Sequence, residues 1–147
     1  MQQSQTRHTI LFVEDESADI ELARLAAMVC RPECDIHVVV NADAAFDYLM
    51  IATPEQLPLI VLLDLKLPKL DGLAVLRRLR LHPVTRDIPV LVFSTEFTHA
   101  DVLMSYQVGA NSFVARPLDA MQFTDFFSHQ LDYWQTSKRY HLSLIHI

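Results

Sequence analysis

Five short apolar runs, Ile10–Val13, Ile36–Val40, Leu59–Leu63, Val90–Phe93 and Ser112–Ala115, constrain the fold of this chain more than any other feature. They read as strands, and the segments between them carry apolar residues at helical spacing. Ile20, Leu22, Leu25, Ala26 and Met28 suit a first helix after Ser17, and Ala45, Phe46, Leu49 and Met50 a second. Leu73, Leu76 and Leu79 mark a third, stopped by His82-Pro83. Val102, Leu103, Tyr106 and Val108 mark a fourth, capped by Gly109. Met121, Phe123, Phe126, Phe127, Leu131 and Trp134 mark a fifth. Strands and helices in strict alternation predict a single-domain α/β fold, a doubly wound (βα)5 parallel sheet covered on both faces. The near-continuous third and fourth runs suit central strands, whereas His37 interrupts the second and suggests a less buried position.

In a parallel sheet every strand presents its C-terminal end at the same edge. The acidic cluster Glu14-Asp15-Glu16 closes the first run, Asp64 the third and Ser94 the fourth, and Arg116-Pro117 follows the fifth. These groups are therefore expected to meet in one carboxylate-rich pocket. Two carboxylates ~5 Å apart repel by roughly 3 kcal/mol at an effective dielectric of about 20, so such a cluster needs a cation. Carboxylates, a backbone carbonyl and retained waters are the ligands Mg²⁺ prefers. Asp64, on a strand end, can act as an in-line nucleophile toward phosphorus and form an aspartyl phosphate. The Ser94 hydroxyl can hydrogen-bond one phosphoryl oxygen, and Arg116 offers a permanent cation to another.

Composition narrows the alternatives. The 147 residues amount to one domain, 51% hydrophobic and 20% charged, which reads as globular. Twelve basic against eighteen acidic residues give a net charge of −6, and no Lys/Arg cluster suits direct nucleic-acid binding. Cys30 and Cys34 lack partners at zinc-finger spacing and read as free thiols in a reducing compartment. The polar N-terminus offers no secretory segment and no apolar stretch spans a membrane, so a cytoplasmic protein is expected. The two glycines, Gly72 and Gly109, belong to no phosphate-cradling loop. The last six residues, Leu142–Ile147, look like a translated sequencing-library adaptor and are left out of the fold reading; the alternative is a native apolar tail that docks on a partner subunit.

The strings FVEDE, LLDLKLPKLDG, FSTE and GANSFVARP together resemble the bacterial response-regulator receiver domain, CheY-like and flavodoxin-like in fold, over about Thr9 to Leu131. The resemblance implies strand order 2-1-3-4-5, with residues 1–8 disordered or extended, 9–134 the receiver domain and 135–147 a C-terminal tail. It implies that Asp64 is the phosphoacceptor and that Mg²⁺ is held by Asp15, Asp64 and the Lys66 backbone carbonyl, with Glu14 acting through water. It also makes Ser94 the switch hydroxyl and Phe113 the aromatic that moves with it. Lys66 and Glu96 flank the path of the hydrolytic water, and as a pair across the pocket mouth they would slow hydrolysis. One position departs: the family has Lys where this chain has Arg116. The planar guanidinium keeps the charge but not the shape, so phosphorylation is expected to survive while coupling to Ser94 and Phe113 weakens.

Within the family, LPKLDG, SYQVGANSFV and the pair Tyr133-Trp134 are most similar to single-domain regulators associated with bacterial phytochromes. The expected partners are a sensor histidine kinase of phytochrome type and a downstream protein. A homodimer through the fifth helix is also expected from Phe126, Phe127 and Trp134, set against a purely core role for them. No DNA-binding module fits after the fifth helix, which is expected to end in the stretch Trp134-Gln135-Thr136-Ser137-Lys138-Arg139. Two other classes compete. One is a phosphorylation-independent binding module with a degenerate pocket, marked by Arg116. The other is a haloacid-dehalogenase-type hydrolase, which needs a second aspartate where Lys66 stands.

Overall fold

The computed structural model describes residues 8–30, 34–67, 70–94, 96–115 and 119–145, with side chains described for all but 30, 34, 66–67, 70–71 and 135–145. Five parallel strands, β1 (His8–Val13), β2 (Cys34–Val39), β3 (Ile60–Asp64), β4 (Val90–Ser94) and β5 (Ser112–Ala115), form one sheet in the order β2-β1-β3-β4-β5. Helices α1 (Ser17–Cys30), α2 (Ala42–Ile51), α3 (Gly72–Leu81), α4 (His99–Val108) and α5 (Ala120–Ile145) alternate with them. The expected order 2-1-3-4-5 and the flavodoxin-like receiver fold are what the chain adopts. β3 and β4 are central, as their unbroken apolar runs require, and β2 lies at an edge with His37 exposed.

Alternate residues of each central strand feed two separate cores. Leu11, Val13, Val61, Leu63, Val90 and Val92 face α2 and α3, meeting Phe46, Leu49, Val75, Leu76 and Leu79. Ile10, Phe12, Ile60, Leu62, Leu91 and Phe93 face α1 and α5. There α1 contributes the small residues Ala23, Ala26 and Ala27, which let its backbone approach the sheet, while α5 contributes Phe123, Phe127 and Leu131. Phe93 stacks on Phe123 at 5.8 Å between centroids and meets Phe126 edge-on at 5.4 Å. Phe127 is buried in this core, and Phe126 and Trp134 pack against it. Phe127 therefore serves the core while Phe126 and Trp134 are only partly buried, and Met121 and Tyr133 are the large apolar side chains that the described part of α5 exposes.

Three local features differ from the sequence expectation. α5 runs on to Ile145, through the segment expected to be a tail, because neither Pro nor Gly occurs between Ala120 and Ile147 to stop it. β2 begins two residues earlier than the run of β-branched residues and ends at Val39, where the chain bends toward the cap of α2. After β3 a small antiparallel hairpin pairs Lys66–Leu67 with Leu70–Asp71, a piece too short to give a periodic signal.

Candidate functional site

The sheet register brings the expected site residues to one edge. Val13 pairs with both Val39 and Leu63, so Glu14, the next residue, stands level with Asp64. Asp64 in turn pairs with Phe93, and Ser94 follows one rung beyond, opposite Ala115. Residues from β1, β3 and β4 therefore converge at their C-terminal ends, as parallel pairing dictates. Arg116, directly after β5, lies outside the described residues.

The three acids occupy different environments. Glu14 is 0% exposed, its backbone N–H donating to the Val39 carbonyl at 3.0 Å and its Oε2 accepting from the Glu16 N–H at 3.2 Å. Asp15 is exposed, and Asp64 is half-buried at the end of β3. Glu14 is thus enclosed by the protein, while Asp15 faces water. Among the described residues no three of His, Cys, Asp and Glu stand together as a metal-binding group. Asp15, Asp64 and the Lys66 carbonyl are the oxygen donors that could hold a divalent ion such as Mg²⁺, and the exposure of Asp15 would leave room for retained water.

The loop after Asp64 is fixed by Gly72, whose place in the site the sequence analysis did not recognise. Its N–H donates to the Leu65 carbonyl at 3.3 Å, and the Leu65 N–H donates to Phe93 at 2.9 Å. A Cβ at position 72 would stand 2.7 Å from Leu65 Cα and 3.0 Å from the Asp64 carbonyl oxygen. Only glycine allows α3 to start this close to the strand end. The LDG string carried the signal, since a glycine opening a helix directly after a strand loop marks close backbone approach.

Ser94 is 0% exposed, and its hydroxyl donates to the Glu96 carbonyl at 2.8 Å. The Glu96 side chain is exposed. The Lys66 side chain lies outside the described residues, so the pair expected between them does too. Phe113 is half-buried and meets Phe97 edge-on, with centroids 5.0 Å apart. Its N–H donates to the Tyr106 phenol oxygen at 3.1 Å. The contacts of Phe97 and Tyr106 went unrecognised because neither lies at a strand end; Tyr106 was read as part of the helical stripe of α4 and of the string SYQVGANSFV.

A doubly wound parallel sheet with an acidic pair, an aspartate and a buried serine at successive strand ends defines a receiver domain, the phosphoacceptor signalling module of two-component systems. The chain belongs to the response regulator receiver domain family, whose model matches residues 10–127. It is 33% identical over 127 residues to the probable methanogenesis regulatory protein FilR2 of Methanothrix harundinacea (strain 6Ac), covering 85% of this chain and 82% of that protein. Among solved structures it resembles the phosphorylated cyanobacterial phytochrome response regulator RcpA, with a TM-score of 0.77, 28% identity and coverage of 89% of this chain and 96% of that one. The Mn²⁺-bound form of response regulator Rcp1, from Synechocystis sp. (strain ATCC 27184 / PCC 6803 / Kazusa), gives a TM-score of 0.73 at 27% identity, covering 86% and 94%. No helix among the described residues is long and apolar enough to cross a membrane.

Proposed function

We propose that the chain is a cytoplasmic phosphorelay response regulator that takes a phosphoryl group on Asp64 from a sensor histidine kinase of phytochrome type. The register that sets Asp64 level with Glu14 and one rung from Ser94 carries this reading. A carboxylate oxygen of Asp64 attacks phosphorus as the bond to the kinase imidazole breaks, and the imidazole nitrogen leaves with the electron pair. Asp15, Asp64 and the Lys66 carbonyl would hold Mg²⁺ directly and Glu14 through water. When bound, the ion neutralises charge on the attacking carboxylate and on the incoming phosphoryl oxygens. The likeness to Rcp1, solved with Mn²⁺, supports a divalent ion here, and the likeness to RcpA supports a phytochrome-type kinase.

Once Asp64 carries the phosphoryl group, Ser94 donates its proton to a phosphoryl oxygen and Arg116 pairs with another. The face made by α4, β5 and α5 then shifts toward a protein partner or a second copy. The test is incubation with acetyl phosphate and Mg²⁺, read by intact mass and by hydrodynamic size. Wild type gains one phosphoryl group, and Asp64→Asn gains none. Labelling of the Asp64→Asn protein to the wild-type level would overturn the assignment.

A further inference from the structure

Beyond the phosphoacceptor itself, the loop after β4 and the outer edge of β5 hold an arrangement that Ser94 and Phe113 alone do not explain. The Ser94 hydroxyl is committed to the Glu96 carbonyl at 2.8 Å. The next residue, Phe97, is 40% exposed and sets its ring against that of Phe113 with the planes at 66°. On the backbone side, Phe113 donates its N–H to Tyr106, a residue of α4 that is 50% exposed.

The direction of that N–H follows from the ladder. The carbonyls of Pro89 and Phe93 accept from Val61 and Leu65 on the β3 side. The backbone groups of Val90, Val92 and Ser94 therefore face β5. With Leu91 level with Ser112 and Val92 with Phe113, residues 112 and 114 turn their amides toward β4. The Phe113 N–H points the other way, out of the open edge of the sheet, where the Tyr106 phenol covers it.

We propose that Phe97 and Tyr106 are positioning residues that hold Phe113 as a latch, by its ring and by its amide, and that phosphorylation of Asp64 opens this latch through Ser94. This rests on the reading of Asp64 as phosphoacceptor. The hydroxyl has one proton, so donating it to a phosphoryl oxygen withdraws it from the Glu96 carbonyl. The segment that carries Phe97 then loses its tie to Ser94, and the Phe97 ring moves against Phe113. Displacement of Phe113 draws its N–H off the phenol and uncovers the β5 edge. The hydroxyl that Phe113 lacks is supplied from α4, which grips the backbone instead of the ring.

Residue-resolved amide hydrogen exchange on the full chain tests this, with and without acetyl phosphate and Mg²⁺, and with the phosphoryl mass followed in the same samples. In wild type the Phe113 amide should exchange about fivefold faster once Asp64 is labelled, the usual worth of one net hydrogen bond. Tyr106→Phe should exchange fast in both states. Phe97→Ala should gain the phosphoryl mass yet show no change at Phe113, and Phe97→Tyr, which keeps the ring, should restore the response. A labelled wild type with unchanged Phe113 exchange, or a Phe97→Ala protein that responds like wild type, would overturn the latch. Absence of any mass gain in wild type would sink the phosphoacceptor reading and the latch together.

Discussion

Arg80 shows how much one side chain can organise away from the chemistry. Its guanidinium has five N–H donors, and all five are used. Nε and Nη2 donate to the Gly109 carbonyl at 3.0 and 2.8 Å, and Nη1 donates to Arg86 and Ile88 carbonyls at 3.1 and 2.7 Å. Nη2 also reaches Asn111 Oδ1 at 2.9 Å, and the same oxygen accepts the Val90 N–H at 2.8 Å. Desolvation by burial lowers the Arg80 pKa, partly offset by Asp87, yet the group stays charged because carbonyl oxygens surround it. Lysine, with three donors on a point charge, cannot reproduce this fork. Arg80→Lys and Arg80→Ala should each lower stability by about 2 to 3 kcal/mol in urea unfolding, because acceptors in the interior lose their partners.

Among the elements, α4 is held very differently at its two ends. Its N-terminus carries a reciprocal cap: Thr98 Oγ1 accepts from the Asp101 N–H at 3.1 Å, and Asp101 Oδ2 accepts from the Thr98 N–H at 2.9 Å. Along the helix only Ser105 is buried, its hydroxyl turned to the Asp101 carbonyl at 2.8 Å. The C-terminus ends on Gly109 at φ 125°, with N–H bonds to Ser105 and Tyr106, and with Arg80 against its carbonyl. A side chain at 109 would meet both the unfavourable φ and the Arg80 Nε, 2.8 Å from the added Cβ. Gly109→Ala should therefore destabilise by about 1 to 3 kcal/mol. In a double-mutant cycle with Arg80→Ala the two losses should not add, since each already breaks the same contact. The elements themselves were legible because period-2 and helical spacing are written residue by residue, and Gly109 was legible as a cap because a glycine closes the α4 stripe. Arg80 was not legible, because four of its five bonds go to backbone carbonyls, up to 29 residues away, that carry no side-chain signature. Glu14, Asp64 and Ser94 could be read because strand ends in a parallel sheet must coincide. Phe97 and Tyr106 could not, since their contacts depend on where a loop and a helix settle.

Across the whole molecule, fastening and chemistry sit at opposite edges of the sheet. Arg80, Asn111 and the buried Thr85, whose Oγ1 donates to Leu79 at 2.7 Å, tie together the chain where β4 and β5 begin. The carboxylates and Ser94 lie at the opposite end, where β1, β3 and β4 finish. Arg116 follows the last rung of β5, directly after Ala115. Replacing Arg116 by Lys should leave Asp64 labelling intact and strengthen the size change that follows it. Mass and size-exclusion measurements on the same samples check this, and identical labelling with an identical size change in both proteins would contradict it.

In the proposed latch, α4 would turn about Gly109, the end that Arg80 holds. At 1.5 Å per residue its ten residues span about 15 Å, so a shift of about 1 Å at Thr98 tilts the helix by about 4°. Tyr106, close to the fulcrum, travels only about a third as far as the tip. The phenol would thus move less than the tip of the helix while, in the proposed latch, the Phe113 amide is drawn off it.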